Sequence, residues 1–187
     1  EIFINDRHLR DIRMKDLREH IAYVTQDVQL FKATIRQNLT LFDETIPDQH
    51  ILQAIEEIGL GAWLAALPEG LDTMLDSSGG GLSAGEAQLL AFVRVFLRNP
   101  SLVIMDEASS RLDPTTEQLV ERAIDKLLEN RTCIMIAHRI ATIERADKIM
   151  ILEDGNVAEL GERTLLLEDK TSKFSRLAAA GIEEVLV

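Results

Sequence analysis

The sequence has one cysteine, a shortage of basic residues and no long apolar run. Cys133 lies in the apolar run 132–137, and a single thiol supplies neither an intrachain disulfide nor a set of zinc ligands. We therefore expect a reduced cysteine that packs in the core. The longest apolar stretch, residues 89–97, is interrupted by Arg94 and falls well short of the roughly 20 residues that span a bilayer. Any link to a membrane is then expected to come through a partner or through residues outside the printed sequence.

The charge balance excludes other classes of partner. Lys and Arg number 20 against 32 Asp and Glu, which gives a formal net charge of -12. Duplex DNA and anionic membrane surfaces reward clustered cations, so this balance disfavours both. A polyanionic ligand would have to be held locally, by a metal ion, by backbone amides or by a few placed cations. At 187 residues, 46% of them hydrophobic, the chain suits one globular domain with room for a small subdomain.

Apolar periodicity and end signals predict alternating strands and helices. Helices are expected over residues 14–20, 48–58, 84–98 and 114–128, and strands over residues 21–24, 102–105 and 132–137, followed by a hairpin over 149–160. The strands at 102–105 and 132–137 are expected to be buried, the former on both faces. This alternation predicts an α/β domain with helices covering a mainly parallel sheet, and residues 31–98 predict an α-helical insert. One face of the helix at 48–58 is expected to carry Ile51, Leu52, Ile55 and Ile58.

Polar side chains follow the three predicted sheet strands. Gln26 comes after the first strand, Asp106 and Glu107 end the second, and His138 follows the third. Ligands of open α/β sheets gather at the carboxyl ends of the strands, so these residues are candidates for one site. An apolar strand followed by Asp-Glu suits metal-assisted phosphoryl chemistry, in which one carboxylate holds Mg²⁺ and the next orients water. Taken alone, the pair is more simply the acidic start of a loop.

Two helix starts carry both a structural and a functional interpretation. Ser83 and Glu86 have the spacing of a capping box, which would stabilise the apolar helix behind them. The same helix N-terminus, with a hydroxyl and free backbone amides, is also a ready anion site. Asp113 before Pro114 predicts an N-cap followed by a first-turn proline.

Five segments in this order closely resemble the ABC ATPase family, and the resemblance covers essentially the whole chain. They correspond to the Q-loop, the signature motif, the Walker B strand, the D-loop and the switch region, and they contain Gln26, Leu82-Ser83-Ala84-Gly85-Glu86, residues 102–107, residues 110–113 and residues 137–139. The segment 24–39 is similar to the exporter class. The resemblance implies a P-loop NTPase-like (RecA-like) parallel or mixed sheet core over 1–187, with an α-helical subdomain at 31–98.

The resemblance also implies ATP and Mg²⁺ as ligands and a role for each strand-tip residue. Asp106 would hold the Mg²⁺, Glu107 would be the general base for the attacking water, and His138 would contact the γ-phosphate. Gln26 would reach the metal or the water and report nucleotide state to a membrane domain.

The remaining roles act across a pair of domains. The signature residues Ser83, Ala84, Gly85 and Glu86 would clasp the γ-phosphate of ATP bound to the opposite subunit, and Asp113 would bridge the two subunits. Ala84 and Glu86 stand where the commonest family pattern has Gly and Gln. Ala84 requires a negative φ at its position, and Glu86 brings a negative charge near a phosphate.

The family resemblance implies an ATPase that powers export at the cytoplasmic face of a membrane, the inner membrane in a bacterium. Its partners would be a second, identical or different, nucleotide-binding domain and the transmembrane domain of an exporter, with no nucleic acid. No Gly-Lys dipeptide occurs, so the G-x-x-x-x-G-K-[ST] phosphate loop (Walker A) is expected upstream of the printed sequence, and the fragment alone is expected to be inactive. A non-hydrolytic regulatory partner in an asymmetric pair is the alternative; a DNA-maintenance ATPase is disfavoured by the acidic charge.

Overall fold

The computed structural model describes residues 1–25, 28–76, 82–106, 113–137 and 140–180, the side chains of residues 140 and 141 excepted. The chain divides into two compact units, Glu1–Ile134 and Met135–Val187.

The strands of the described residues fall into one three-stranded sheet and three antiparallel pairs. They are β1 (Phe3–Ile4), β2 (Arg7–His8), β3 (Ile21–Val24), β4 (Ala33–Thr34), β5 (Met74–Leu75), β6 (Leu102–Asp106), β7 (Thr132–Ile136), β8 (Lys148–Glu153) and β9 (Asn156–Glu162). In the three-stranded sheet β6 lies between β3 and β7, and β3 pairs with β6 in parallel. The antiparallel pairs are β1–β2, β4–β5 and β8–β9. The boundary between the two units falls within β7.

The helices match the sequence expectation closely in the first unit. They are α1 (Met14–His20), α2 (Ile35–Thr40), α3 (Asp48–Ile58), α4 (Gly61–Ala65), α5 (Ala84–Arg98), α6 (Pro114–Leu128), α7 (Ile140–Ile143), α8 (Arg163–Glu168) and α9 (Lys173–Ala180). Within 31–98 the described residues are mainly helical, with the two-residue pair β4–β5 beside the helices. No described helix has the length and apolar character that a membrane crossing needs.

Helix α5 is the central element of the first unit, and its ends follow local rules. Ser83 caps its N-terminus, and Asn99 closes its C-terminus in the left-handed conformation at φ 46°. Its buried side chains include Leu89, Leu90 and Phe92, and the helix packs against α2, α3, α6 and β3. A helix with this many buried side chains is stabilised by tertiary packing more than by helix propensity.

The predicted end of helix α3 at Gly59 is confirmed, while one residue predicted on its buried face is exposed. Helix α3 begins after Pro47 and ends at Gly59, which has φ 83° and forms the left-handed cap that glycine favours. The buried face of α3 carries Ile51, Ala54, Ile55 and Ile58. Leu52 was expected on that face but is 47% exposed. Residues three and four apart share one face of a helix, so Ala54 lies on the buried face with Ile51, while Leu52, directly after Ile51, does not.

Strand β6 is buried on one face only and no residue of β7 is fully buried, which corrects the expectation for both strands. Val103 and Met105 of β6 are buried, while Leu102, Ile104 and Asp106 on the other face are only half-buried. In β7 the exposed and half-buried positions alternate, and Ile134 and Ile136 are about half exposed, at 51% and 47%. An unbroken apolar run therefore did not indicate burial on both faces of a strand.

The second unit contains the predicted hairpin. Strands β8 and β9 are joined at Asp154 and Gly155, which both have positive φ, 47° and 76°. Two consecutive positive φ angles are the geometry of the tight hairpin turn that Asp-Gly favours.

Cys133 lies in β7, and its thiol is only half-buried instead of packed in the core as expected. This partial burial raises the pKa of the thiol to about 11.

Candidate functional site

The carboxyl ends of β3 and β6 coincide at one edge of the parallel sheet. Val24, at the end of β3, is in register with Met105, so Thr25 and Asp106 follow at the same level. Asp106 is the last residue of β6, and its side chain lies on the half-buried face. A carboxylate therefore lies at this strand tip, and its role in a nucleotide site stays a prediction.

Tyr23 is a neighbour of Asp106 that sequence reasoning missed. Its hydroxyl donates a hydrogen bond to Oδ2 of Asp106 over 3.4 Å, across 83 residues of sequence. Tyr23 pairs with Ile104 in the sheet register, so its side chain is on the same face as Asp106, two residues further along β6. The alternation of β3 shows which face of the strand Tyr23 occupies. The contact with Asp106 also depends on the pairing of β3 with β6, which the sequence alone does not reveal.

Three of the predicted strand-tip residues fall outside the described part of the structure. They are Gln26, Glu107 and His138. Their proximity to Asp106 therefore stays a prediction. For two of them it is based on the chain order: Gln26 is two residues beyond Val24, and Glu107 follows Asp106 directly.

The signature segment forms the first turn of α5 as a complete capping box. Ser83 Oγ accepts a hydrogen bond from the Glu86 amide over 3.2 Å, and the Ser83 amide donates to Glu86 Oε2 over 2.6 Å. The Glu86 carboxylate therefore points back at the backbone. Ala84 is the first helical residue, where a negative φ is normal, so the departure from Gly costs this turn nothing. Gly85 is buried within the turn, and Ser83 is exposed.

Asp113 caps helix α6 in the way the sequence predicts. Its Oδ1 accepts hydrogen bonds from the amides of Thr115 and Thr116, each over 3.1 Å, and Pro114 follows in the first turn. Hydrogen bonding to Thr116 is the main cause that lowers the pKa of the Asp113 carboxyl. In the described residues no hydrogen bond or ion pair joins Ser83 or Glu86 to Asp106 or Asp113.

The chemistry of Asp106 fits a magnesium ion that is held together with phosphate. No described Lys or Arg forms an ion pair with its carboxylate, so its charge is not neutralised by a neighbouring described side chain. The described residues contain no cluster of three potential metal ligands, which rules out an all-protein cage within them. Mg²⁺ is typically bound by one or two carboxylates, waters and substrate phosphates, and a single strand-tip Asp suits that pattern.

Two curated relatives match most of this chain in sequence. The ATP-dependent lipid A-core flippase of Pseudomonas fluorescens is 40% identical over 185 residues, which are 98% of this chain and 31% of the flippase. P-glycoprotein 14 of Caenorhabditis elegans is 39% identical over 167 residues, 89% of this chain and 13% of that protein. The chain thus spans about a third or less of the length of these relatives.

The structural comparison and the family profile give the assignment. A solved structure of a bacterial Atm1-family ABC exporter with ATP bound superposes with a TM-score of 0.83 at 31% identity, over 95% of this chain and 31% of the exporter chain. This likeness, with the parallel pairing of β3 and β6, confirms the predicted P-loop NTPase-like fold class. The profile described as ABC transporter matches residues 1–110. That match covers more than half of the 187 residues, and the chain belongs to the ABC transporter family.

Proposed function

We propose that this chain is most of the ATP-binding and ATP-hydrolysing domain of an exporter, and that the full protein uses ATP hydrolysis to move a substrate across a membrane. The observation that carries the proposal is the Asp106 carboxylate, unpaired with any described cation, at the sheet edge where β3 and β6 end together. Its sequence neighbour Glu107 gives this edge two adjacent carboxylates, the pair that metal-assisted phosphoryl transfer needs.

The strand-tip residues divide the hydrolytic work in this proposal. Asp106, together with Gln26, would hold the magnesium ion of the bound nucleotide. Glu107 accepts the proton of the attacking water, which raises the nucleophilicity of that water. His138 donates a hydrogen bond toward the γ-phosphate. Mg²⁺, when bound, would neutralise part of the charge on the phosphate oxygens.

The first turn of α5 is proposed to act on ATP held by a second domain. The turn places the exposed Ser83 and backbone amides at a helix N-terminus, where the dipole favours an anion. Asp113, at the start of α6, is proposed to bridge the two domains in addition to its capping role. The partners are therefore a second nucleotide-binding domain, identical or different, and the exporter's transmembrane domain, at the cytoplasmic face of a membrane.

Metal removal tests the hydrolytic part of the proposal. Full-length protein in detergent or vesicles is expected to release phosphate from ATP with Mg²⁺, and to lose this activity when EDTA removes the metal, because the triphosphate then lacks its charge-neutralising partner. Phosphate release is the measurement, and restoring Mg²⁺ is the control. The 187-residue chain alone is expected to release no phosphate, since it has no Gly-Lys sequence to grip the β- and γ-phosphates.

A second candidate function is a non-hydrolytic regulatory partner in an asymmetric pair. The departures at Ala84 and Glu86 from the commonest signature pattern favour it. It predicts that the full-length protein binds ATP but releases phosphate no faster with Mg²⁺ than with EDTA. The same assay therefore separates the two candidates.

Glu86 offers a separate test of the signature surface. Glu86→Gln is expected to keep the melting temperature within about 2 °C, since Gln also fits a capping box. It is expected to lower the KM for ATP of the full-length protein roughly two- to fivefold, because one like charge near the phosphate is removed, an effect worth up to about 1 kcal/mol. Glu86→Ala, the matched control, removes the charge and also the bond to the Ser83 amide, so it should melt at a lower temperature. A Gln variant with unchanged KM would place the turn away from the nucleotide.

A further inference from the structure

A hydrogen-bonded group, here called the clamp, joins Arg94 of α5 to Asn38 of α2 and to the loop before α2. Arg94 Nε donates to the Asn38 carbonyl over 2.8 Å, Nη1 to the Gln29 carbonyl over 2.9 Å and Nη2 to Asn38 Oδ1 over 3.3 Å. These bonds span 56 and 65 residues of sequence. The clamp therefore ties α2 and the loop before it to α5, which lies far from both of them in the sequence.

Asn38 completes the clamp from within the core. Its side chain is fully buried, and its Oδ1 accepts from the Phe31 amide over 2.8 Å. Its Nδ2 donates to the carbonyls of Phe31, Ala33 and Thr34, over 3.0, 3.3 and 3.1 Å. Both backbone groups of Phe31 are thereby fixed by one side chain, so the loop at 28–31 has little freedom relative to α5.

Stability alone does not explain a charged guanidinium at the position of Arg94. Arg94 is mostly buried, and burial, followed by the charge of Arg98, lowers the pKa of its guanidinium. Among the described residues no carboxylate pairs with Arg94, so neutral carbonyl and amide oxygens replace the water it loses. Burying a charge without a counter-ion is costly, and an apolar contact would serve packing better. What the guanidinium adds is a planar fork that fixes two separate main-chain carbonyls at once.

The position of the clamp along α5 connects it to the signature turn. Arg94 is eleven residues after Ser83 in the helix, which is about 16 Å along its axis. The continuous backbone of α5 is the physical connection through which a displacement of its first turn would reach Arg94.

We propose that Arg94 is a positioning residue of the ATPase: by holding Gln29 and Asn38 against α5, it makes residues 28–42 move together with the signature turn when ATP is bound. This inference rests on the proposed function. Residues 28–42 also carry the exposed aromatic pair Phe31 and Phe42, whose rings meet edge to face at 5.4 Å. ATP held at one end of α5 therefore also sets the position of this surface pair.

Arg94→Lys in the full-length protein tests the proposal. A lysine ammonium keeps the charge but cannot bridge both carbonyls. We expect kcat for ATP hydrolysis to fall about tenfold, within the range typical of coupling between sites, with the KM for ATP within about twofold, since the nucleotide contacts are untouched. Arg98→Lys is the matched control: Arg98 is exposed one turn further along α5, and its side chain has no hydrogen bond or ion pair with another described residue. Equal kcat values for the two variants would overturn the proposal.

Amide hydrogen exchange gives a second readout that does not depend on turnover. In the wild type, ATP with Mg²⁺ is expected to slow exchange in residues 83–86 and in residues 28–31 at the same ATP concentration. In Arg94→Lys the slowing should be confined to residues 83–86. Joint protection that persists in the variant, or wild-type protection without residues 28–31, would refute the clamp, and the wild-type experiment decides even if the variant folds poorly. Joint protection in a wild type that releases no phosphate would instead refute the ATPase function and leave the clamp standing.

Discussion

The Glu107→Gln variant of the full-length protein is expected to hydrolyse ATP at least about a hundredfold more slowly than the wild type, because general-base catalysis typically contributes two to four orders of magnitude. Glutamine keeps the size and the hydrogen-bonding capacity of the side chain but cannot accept the proton of the attacking water. ATP binding should persist, since Asp106 and the signature turn are unchanged. The measurement is kcat for phosphate release together with the ATP dissociation constant.

Glu69→Gln is the matched control for that experiment. Glu69 is exposed, lies between α4 and β5 and has no role in the proposed site, so the same loss of one negative charge there should leave kcat unchanged. If Glu107→Gln and the wild type release phosphate at the same slow rate, Glu107 is not the base, and the regulatory alternative is favoured.

The largest effect on stability is expected at Phe92. This side chain is fully buried in the middle of α5, the helix that packs against α2, α3, α6 and β3. Phe92→Ala should lower the free energy of unfolding by about 3–5 kcal/mol, since it loses the transfer free energy of the ring and leaves a cavity. Denaturant unfolding of the variant measures this difference.

Phe3→Ala is the control for the core substitution. Phe3 is 56% exposed and contacts the ring of His8 edge to face, so little apolar area is lost when its ring is removed. A change below about 1 kcal/mol is expected there. If Phe92→Ala were as mild, α5 would not be the central core helix, and the transmission along α5 assumed for the clamp would lose its basis.

The sequence predicted the features that obey local rules. The start of α5 at Ala84, the box between Ser83 and Glu86, and the cap at Asp113 all depend on residues within four positions of one another. The tight turn at Asp154–Gly155 is local in the same sense. Such features are written in short segments, and the structure confirms them.

The features that the sequence did not predict depend on distant contacts. The hydrogen bond from Tyr23 to Asp106 and the bonds of Arg94 to the loop before α2 join residues 65 to 83 positions apart. The exposure of Ile134 and Ile136 depends on which elements cover β7, not on the composition of the strand. Chain order suggested that the polar strand ends meet, and for Gln26, Glu107 and His138 this stays a prediction.

A structure of the full-length Glu107→Gln variant with Mg²⁺ and ATP tests the central claim most directly. The account predicts a metal ion within direct or one-water reach of Asp106, the side chains at 26, 107 and 138 around the same triphosphate, and Ser83 facing the nucleotide of the second domain. A nucleotide bound elsewhere, with Asp106 and those three side chains on separate surfaces, would contradict it.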